Sequence, residues 1–78
     1  MITFDNVKRL LKRLNLNCIY TKKDFKVYEG NSLYIVYNKR FNSIVIHTLD
    51  KKGLINPMNS GHLTLQEAYE ELKLISKN

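Results

Sequence analysis

Three side chains in this sequence belong to types that do nucleophilic or metal chemistry: Cys18, His47 and His62. No two of them stand at the short spacings that place ligands of one metal on one element. Cys18 lies among apolar neighbours, the setting of an inert core thiol. Glu67, Glu70 and Glu71 are accounted for by the capping, dipole and solvation of a helix. These residues lead us to expect no enzyme, no metal and no cofactor.

Binding chemistry is better represented. Lys8, Arg9, Lys12 and Arg13 repeat at helical spacing and form a basic stripe that could track phosphates. Lys22, Lys23, Lys39, Arg40, Lys51 and Lys52 could widen it. Tyr28, Tyr34 and His47 offer planes on which bases stack, and Lys26 offers a charge beside them. The same aromatic residues suit the core of a protein interface, where Tyr is enriched. The loop segment from Lys51 to Gly53 and the stretch from Pro57 to Gly61 could recognise a partner, because exposed loops often carry function.

The elements that position these residues can be read in order. Phe4, Val7, Leu10, Leu11 and Leu14 mark one face of a helix over about 4–14, capped by Thr3 or Asp5 and stopped at Asn15 or Asn17. Leu16 to Tyr20 reads as a short strand or an extended connection. Strands follow at Phe25 to Tyr28, Ser32 to Tyr37 and Ser43 to Thr48, with turn signals at Gly30-Asn31 and from Asn38 to Asn42. Residues 50–62 show no clear period and read as a long loop. Thr64-Leu65-Gln66-Glu67 is a capping box that opens a second helix over 65–76. The order α–(β)–β–β–β–α predicts an α+β fold, an antiparallel meander of three or four strands flanked by terminal helices.

Seventy-eight residues suffice for one domain, 1–78, with a small core. No apolar run approaches the roughly 20 residues that cross a bilayer. The N-terminus turns directly into an amphipathic pattern without a signal peptide, and a single cysteine suits a reducing cytoplasm. The net charge is +6, carried by the first two-thirds of the chain, since residues 53–78 hold two basic and three acidic side chains. Such a field favours polyanions or acidic protein surfaces. The richness in Asn, Lys, Ile and Tyr is that of an AT-rich genome, such as a low-GC bacterium or its phage.

Strand register decides which residues share a surface. A two-residue loop at Lys39-Arg40 sets Ile35 opposite Ile44 and Leu33 opposite Ile46. Leu33, Ile35, Tyr37, Ile44 and Ile46 then form a core face, and Tyr34, Val36, Val45 and His47 the opposite one. The first hairpin has two solutions. A two-residue loop at Gly30-Asn31 puts Phe25 and Val27 with Tyr34, whereas a bulge or three-residue loop puts Lys26 and Tyr28 there instead. Burial of Phe25 and Val27 favours the second. The expected binding surface therefore joins Lys26, Tyr28, Tyr34, Val36, Val45 and His47.

The α–β–β–β–α order resembles that of the double-stranded-RNA-binding fold. That family opens its second helix with a lysine cluster that grips phosphates. Here Thr64, Leu65, Gln66 and Glu67 are neutral or acidic, and the family's Gly-Pro-x-His hairpin is missing. The strands followed by Thr64-x-x-Glu67-Ala68 also resemble the arm-type DNA-binding domains of phage integrases, over about half the chain. Neither resemblance transfers a residue's role.

The expectation is a small, basic, non-catalytic interaction protein of phage or mobile-element type. It would bind or inhibit a nucleic-acid-handling protein, as an anti-defence protein such as an anti-CRISPR does. Direct nucleic-acid binding through the basic helix and aromatic sheet face is the second reading, and a structural homodimer the third.

Overall fold

The computed structural model describes residues 1–59 and 61–77, without the side chains of residues 57–59. The architecture is α+β. Helix α1 spans Phe4–Arg13 and helix α2 spans Leu65–Ser76. Between them run β1 (Asn17–Lys22), β2 (Phe25–Gly30), β3 (Leu33–Asn38), β4 (Ser43–Leu49), β5 (Ile55–Asn59) and β6 (Leu63–Thr64). β1 to β5 lie in sequence order as antiparallel neighbours, and β6 also pairs with β4.

Both helices begin and end where local chemistry directs. In α1 the Thr3 N–H donates to Asn6 Oδ1 at 2.9 Å. The helix closes with Asn15 in the left-handed region (φ 64°) and Leu16 N–H donating back to Leu11 O at 3.0 Å. In α2 the capping box forms as expected: Glu67 N–H donates to Thr64 Oγ1 at 3.1 Å, and Thr64 N–H to Glu67 Oε1 at 2.9 Å. Those bonds hold the Glu67 carboxyl below its ordinary value of 4.5.

The expected fourth strand is present as β1. It is an edge strand whose residues are all exposed, so Cys18 is an exposed thiol and not a core one. The expected loop over 50–62 is also more ordered than its sequence suggests. Asp50 Oδ1 accepts from Lys52 N–H at 2.8 Å and from Leu54 N–H at 2.9 Å, and this closes a tight connection into β5. Pro57 is accommodated in β5, at the side of the sheet opposite β1, where a missing N–H is tolerated.

The core lies between the helices and one face of the sheet. Val7, Leu10 and Leu11 of α1 and Ala68 and Leu72 of α2 meet Leu33, Ile35, Tyr37, Ile44 and Ile46. These strand residues are those expected on the core face. The second hairpin pairs Ile35 with Ile46 and Tyr37 with Ile44, two residues away from the expected register. Its loop has four residues because Asn38 Oδ1 accepts from Arg40 N–H at 3.0 Å and Asn42 takes φ 48°. An even displacement leaves the faces unchanged.

The first hairpin turns at Asn31-Ser32, not at Gly30-Asn31. Both turn residues have positive φ (51° and 61°), as a type I′ loop requires. Gly30 serves another purpose. It ends β2 at φ 155°, and a Cβ there would stand 2.5 Å from Asn15 O and 3.0 Å from Leu16 Cα. Gly30→Ala should therefore cost at least about 2 kcal/mol in denaturant unfolding, from strain and from displacement of the α1–β1 connection.

Acid unfolding reads the Glu67 cap. Its carboxyl is held below 4.5 in the folded chain, so its stabilisation is complete above that pH. It fades as the pH falls through the lower folded value. Stability measured from neutral pH down through this window should decline less in Glu67→Gln than in the parent chain.

Candidate functional site

The turn at Asn31-Ser32 pairs Val27 with Val36 and Tyr28 with Ile35. This overturns the expectation that Lys26 and Tyr28 share a face with Tyr34. Both lie on the helix-covered side. Tyr28 is 5% exposed and belongs to the core cluster. Its ring is 6.1 Å from that of Phe4, and Phe4 stacks on Tyr37 with centroids 3.7 Å apart. Burial, with the neighbouring Cys18 thiol, pushes the Tyr28 hydroxyl pKa up, and burial alone raises that of Tyr37. Tyr37 Oη donates to Asn42 Oδ1 at 3.2 Å. Lys26 keeps its stem on the core and its ammonium 5.9 Å over the Phe4 ring. Burial by residue type pointed the wrong way because a tyrosine can be buried with its hydroxyl near an edge, and a lysine can snorkel.

The other sheet face carries Tyr34, Val36, Val45 and His47, as expected. Phe25, Val27 and Tyr20 join it, since Tyr20 pairs with Val27 and Val27 with Val36. Leu49 and its partner Ile55 extend it across β4 and β5. Val27, Val36 and Val45 form one continuous rung across three strands. Val27 is only 7% exposed yet stands outside the core cluster, so its neighbours on this open face shield it. Tyr20 and Phe25 beside it remain 46% and 43% exposed, and Ile55, at the β4–β5 end of the face, 48%. Both helices pack on the opposite side. Lys22 and Glu29 are the charged residues on this face among the described strand positions, and they cancel.

Tyr34 and His47 are cross-strand partners with ring centres 5.9 Å apart. His47 Nδ1 is shielded from solvent and has no hydrogen-bond partner among the described residues. A buried polar atom in that state is uncommon in folded proteins.

The basic residues do not form one surface. Lys8 and Lys12 line a cleft between α1 and β1, together with Lys26. Arg9 and Arg13 line a separate depression with Asn6, Leu10 and Tyr69, between the helices. Lys39 and Arg40 sit in the β3–β4 loop, where the Arg40 guanidinium lies 5.6 Å from the Phe41 ring centre. Lys51 and Lys52 occupy the β4–β5 connection, at the opposite end of the sheet. Of the Pro57-to-Gly61 stretch, the side chains of residues 57–59 and all of Ser60 lie outside the described residues.

Cys18 is on the helix side of β1 and His47 on the open face. The described residues contain no group of three His, Cys, Asp or Glu side chains placed to hold a metal ion. No described helix is long and apolar enough to cross a membrane. No protein-family model, curated protein or solved structure matches this chain.

Sequence reasoning missed Tyr20, Leu49 and Ile55 as parts of the open face, and weighed Phe25 and Val27 there but set them aside in favour of their burial. The signal that finds Phe25 and Val27 is the two-residue turn. Any even displacement from Gly30-Asn31 puts Phe25 and Val27 beside Val36. Paired substitutions check this arrangement. Tyr28→Ala should cost about 3–5 kcal/mol, and Phe25→Ala about 1 kcal/mol or less. The reverse order in chemical denaturation would place Tyr28 outside the core.

Proposed function

We propose that this protein is a non-catalytic docking module that binds another protein through the open sheet face. The observation that carries the reading is the Val27-Val36-Val45 rung, apolar and near-neutral, on the side that neither helix covers. An antiparallel sheet with one free face normally presents polar side chains there. A contiguous apolar patch rimmed by aromatic residues is the pattern of an interaction surface. Loss of Lys26 and Tyr28 from this face removes a cation and a stacking plane, which weakens the case for a nucleic-acid platform and strengthens the case for protein. Lys8, Lys12 and Lys26 gather on the side away from the rung, so the fitting partner is one that works on or beside nucleic acid. Occupying such a protein is how an inhibitor of it would act.

Capture from a nuclease-treated host lysate tests this, with Val36→Asp and an Arg9→Glu/Arg13→Glu double variant as controls. The parent chain should retain a protein that Val36→Asp loses and that the arginine variant keeps. Capture indifferent to Val36→Asp would remove the face from the interaction. Concentration-dependent dimerisation in light scattering, abolished by Val36→Asp, would assign the face to a second copy of this chain.

A further inference from the structure

A second feature begins on the helix-covered side and reaches the docking face only at Phe25 and Lys22. The cleft between α1 and β1 has a volume of about 320 Å³. Lys8 and Lys12, one helical turn apart, stand on one wall, and Lys26 reaches it from β2. No carboxylate lines it, and its floor is apolar, with Leu11, Leu16 and Tyr28. A second cleft of about 430 Å³ lies at the β1–β2 turn, where Lys22, Lys23 and Lys39 meet Lys26 again. Lys26 is common to both, so the two clefts adjoin. Asp24 is the one carboxylate in the second, against four lysines.

From this arrangement we infer that the joined clefts bind the phosphate backbone of a single-stranded nucleic acid. Six ammonium groups along two adjoining clefts suit a chain of spaced phosphates better than one small anion. Lysine serves here as a point charge that needs no fixed fork geometry, which fits sequence-independent contact. The half-exposed Phe25 ring in the second cleft offers a face on which an unpaired base can stack. A duplex keeps its bases stacked internally and gains nothing from that ring. Lys26 is the pivot: its position over Phe4 holds one ammonium between the two clefts. Arg9 and Arg13 stand outside the path, although they belong to the same helix.

Fluorescence anisotropy with a labelled oligothymidylate of about 16 nucleotides provides the test, with a duplex of equal length beside it. Affinity should fall with salt, and the single strand should bind more tightly than the duplex. Lys8→Glu/Lys12→Glu should weaken binding by about tenfold or more and lower the log–log salt slope by about 1.4, the value for two lost single-strand phosphate contacts. Lys26→Met keeps the packed stem and should lower the slope by about 0.7. Arg9→Glu/Arg13→Glu makes the same change in net charge and should leave the slope unaltered. Circular dichroism confirms that each variant is folded, and Val36→Asp should bind the oligonucleotide like the parent chain. Equal losses from the lysine and arginine pairs would reduce the effect to net charge and overturn the inference. So would tighter binding of the duplex, or no binding at about 50 mM salt.

Discussion

Gly30 has no side chain, and the backbone of Asn15 and Leu16 fills the space where one would lie. Much of this structure follows from that contact. It ties the end of α1 to the end of β2, so the helix must cross the face that β2 turns towards it. It also keeps Gly30 inside the strand and passes the turn to Asn31-Ser32, where two non-glycine residues accept positive φ. The cost of those conformations is modest for Asn and greater for Ser, and the packed connection beside Gly30 offsets it. With the turn placed there, Tyr28 must stand opposite Ile35, and every residue of β2 has its face assigned.

The face assignments then explain the shape of the core. Tyr28 and Tyr37 bracket Phe4 and fill the space under the N-terminal half of α1 with aromatic area. Aliphatic residues of β3 and β4 fill the rest beneath α2. Lys26 completes the arrangement, because its stem covers the aromatic group while its ammonium escapes to the rim. The opposite face receives what remains, a band of valines with Tyr20, Phe25 and Tyr34 around it. Among the described residues both helices pack on the other side, so neither supplies a layer over this face.

The sequence disclosed the parts governed by local signals. Thr64-x-x-Glu67 set the start of α2, Asn15 the end of α1, and alternation in β3 and β4 identified their two faces. Non-local determinants were not legible. Nothing near Gly30 in the sequence announces that Asn15 lies against it, so its glycine read as a turn residue. β5 and β6 are short, with Pro57 inside β5 and Gly61 between the two, and owe their strand character to pairing with β4. The basic residues looked like one stripe because helical spacing groups Lys8, Arg9, Lys12 and Arg13. Packing divides them, with the lysines towards β1 and the arginines towards α2.

That division bears on how the two candidate surfaces coexist. A basic field centred on an apolar docking face would draw polyanions onto it and compete with a protein partner. Here Lys22 and Glu29 cancel on the open face, and five further lysines gather around the α1–β1 side and the β1–β2 turn. At physiological salt, exposed charges act over about 8 Å, so the two sides are electrostatically distinct over most of the molecule. They meet only where Phe25 and Lys22 border both. A partner seated on the valine rung leaves the α1–β1 cleft open, and a strand in that cleft leaves the rung dry. The same chain can therefore hold a protein on the valine rung and nucleic acid in the α1–β1 cleft, with competition confined to the shared residues Phe25 and Lys22, an arrangement that depends on Gly30 sending Lys26 to the helix side.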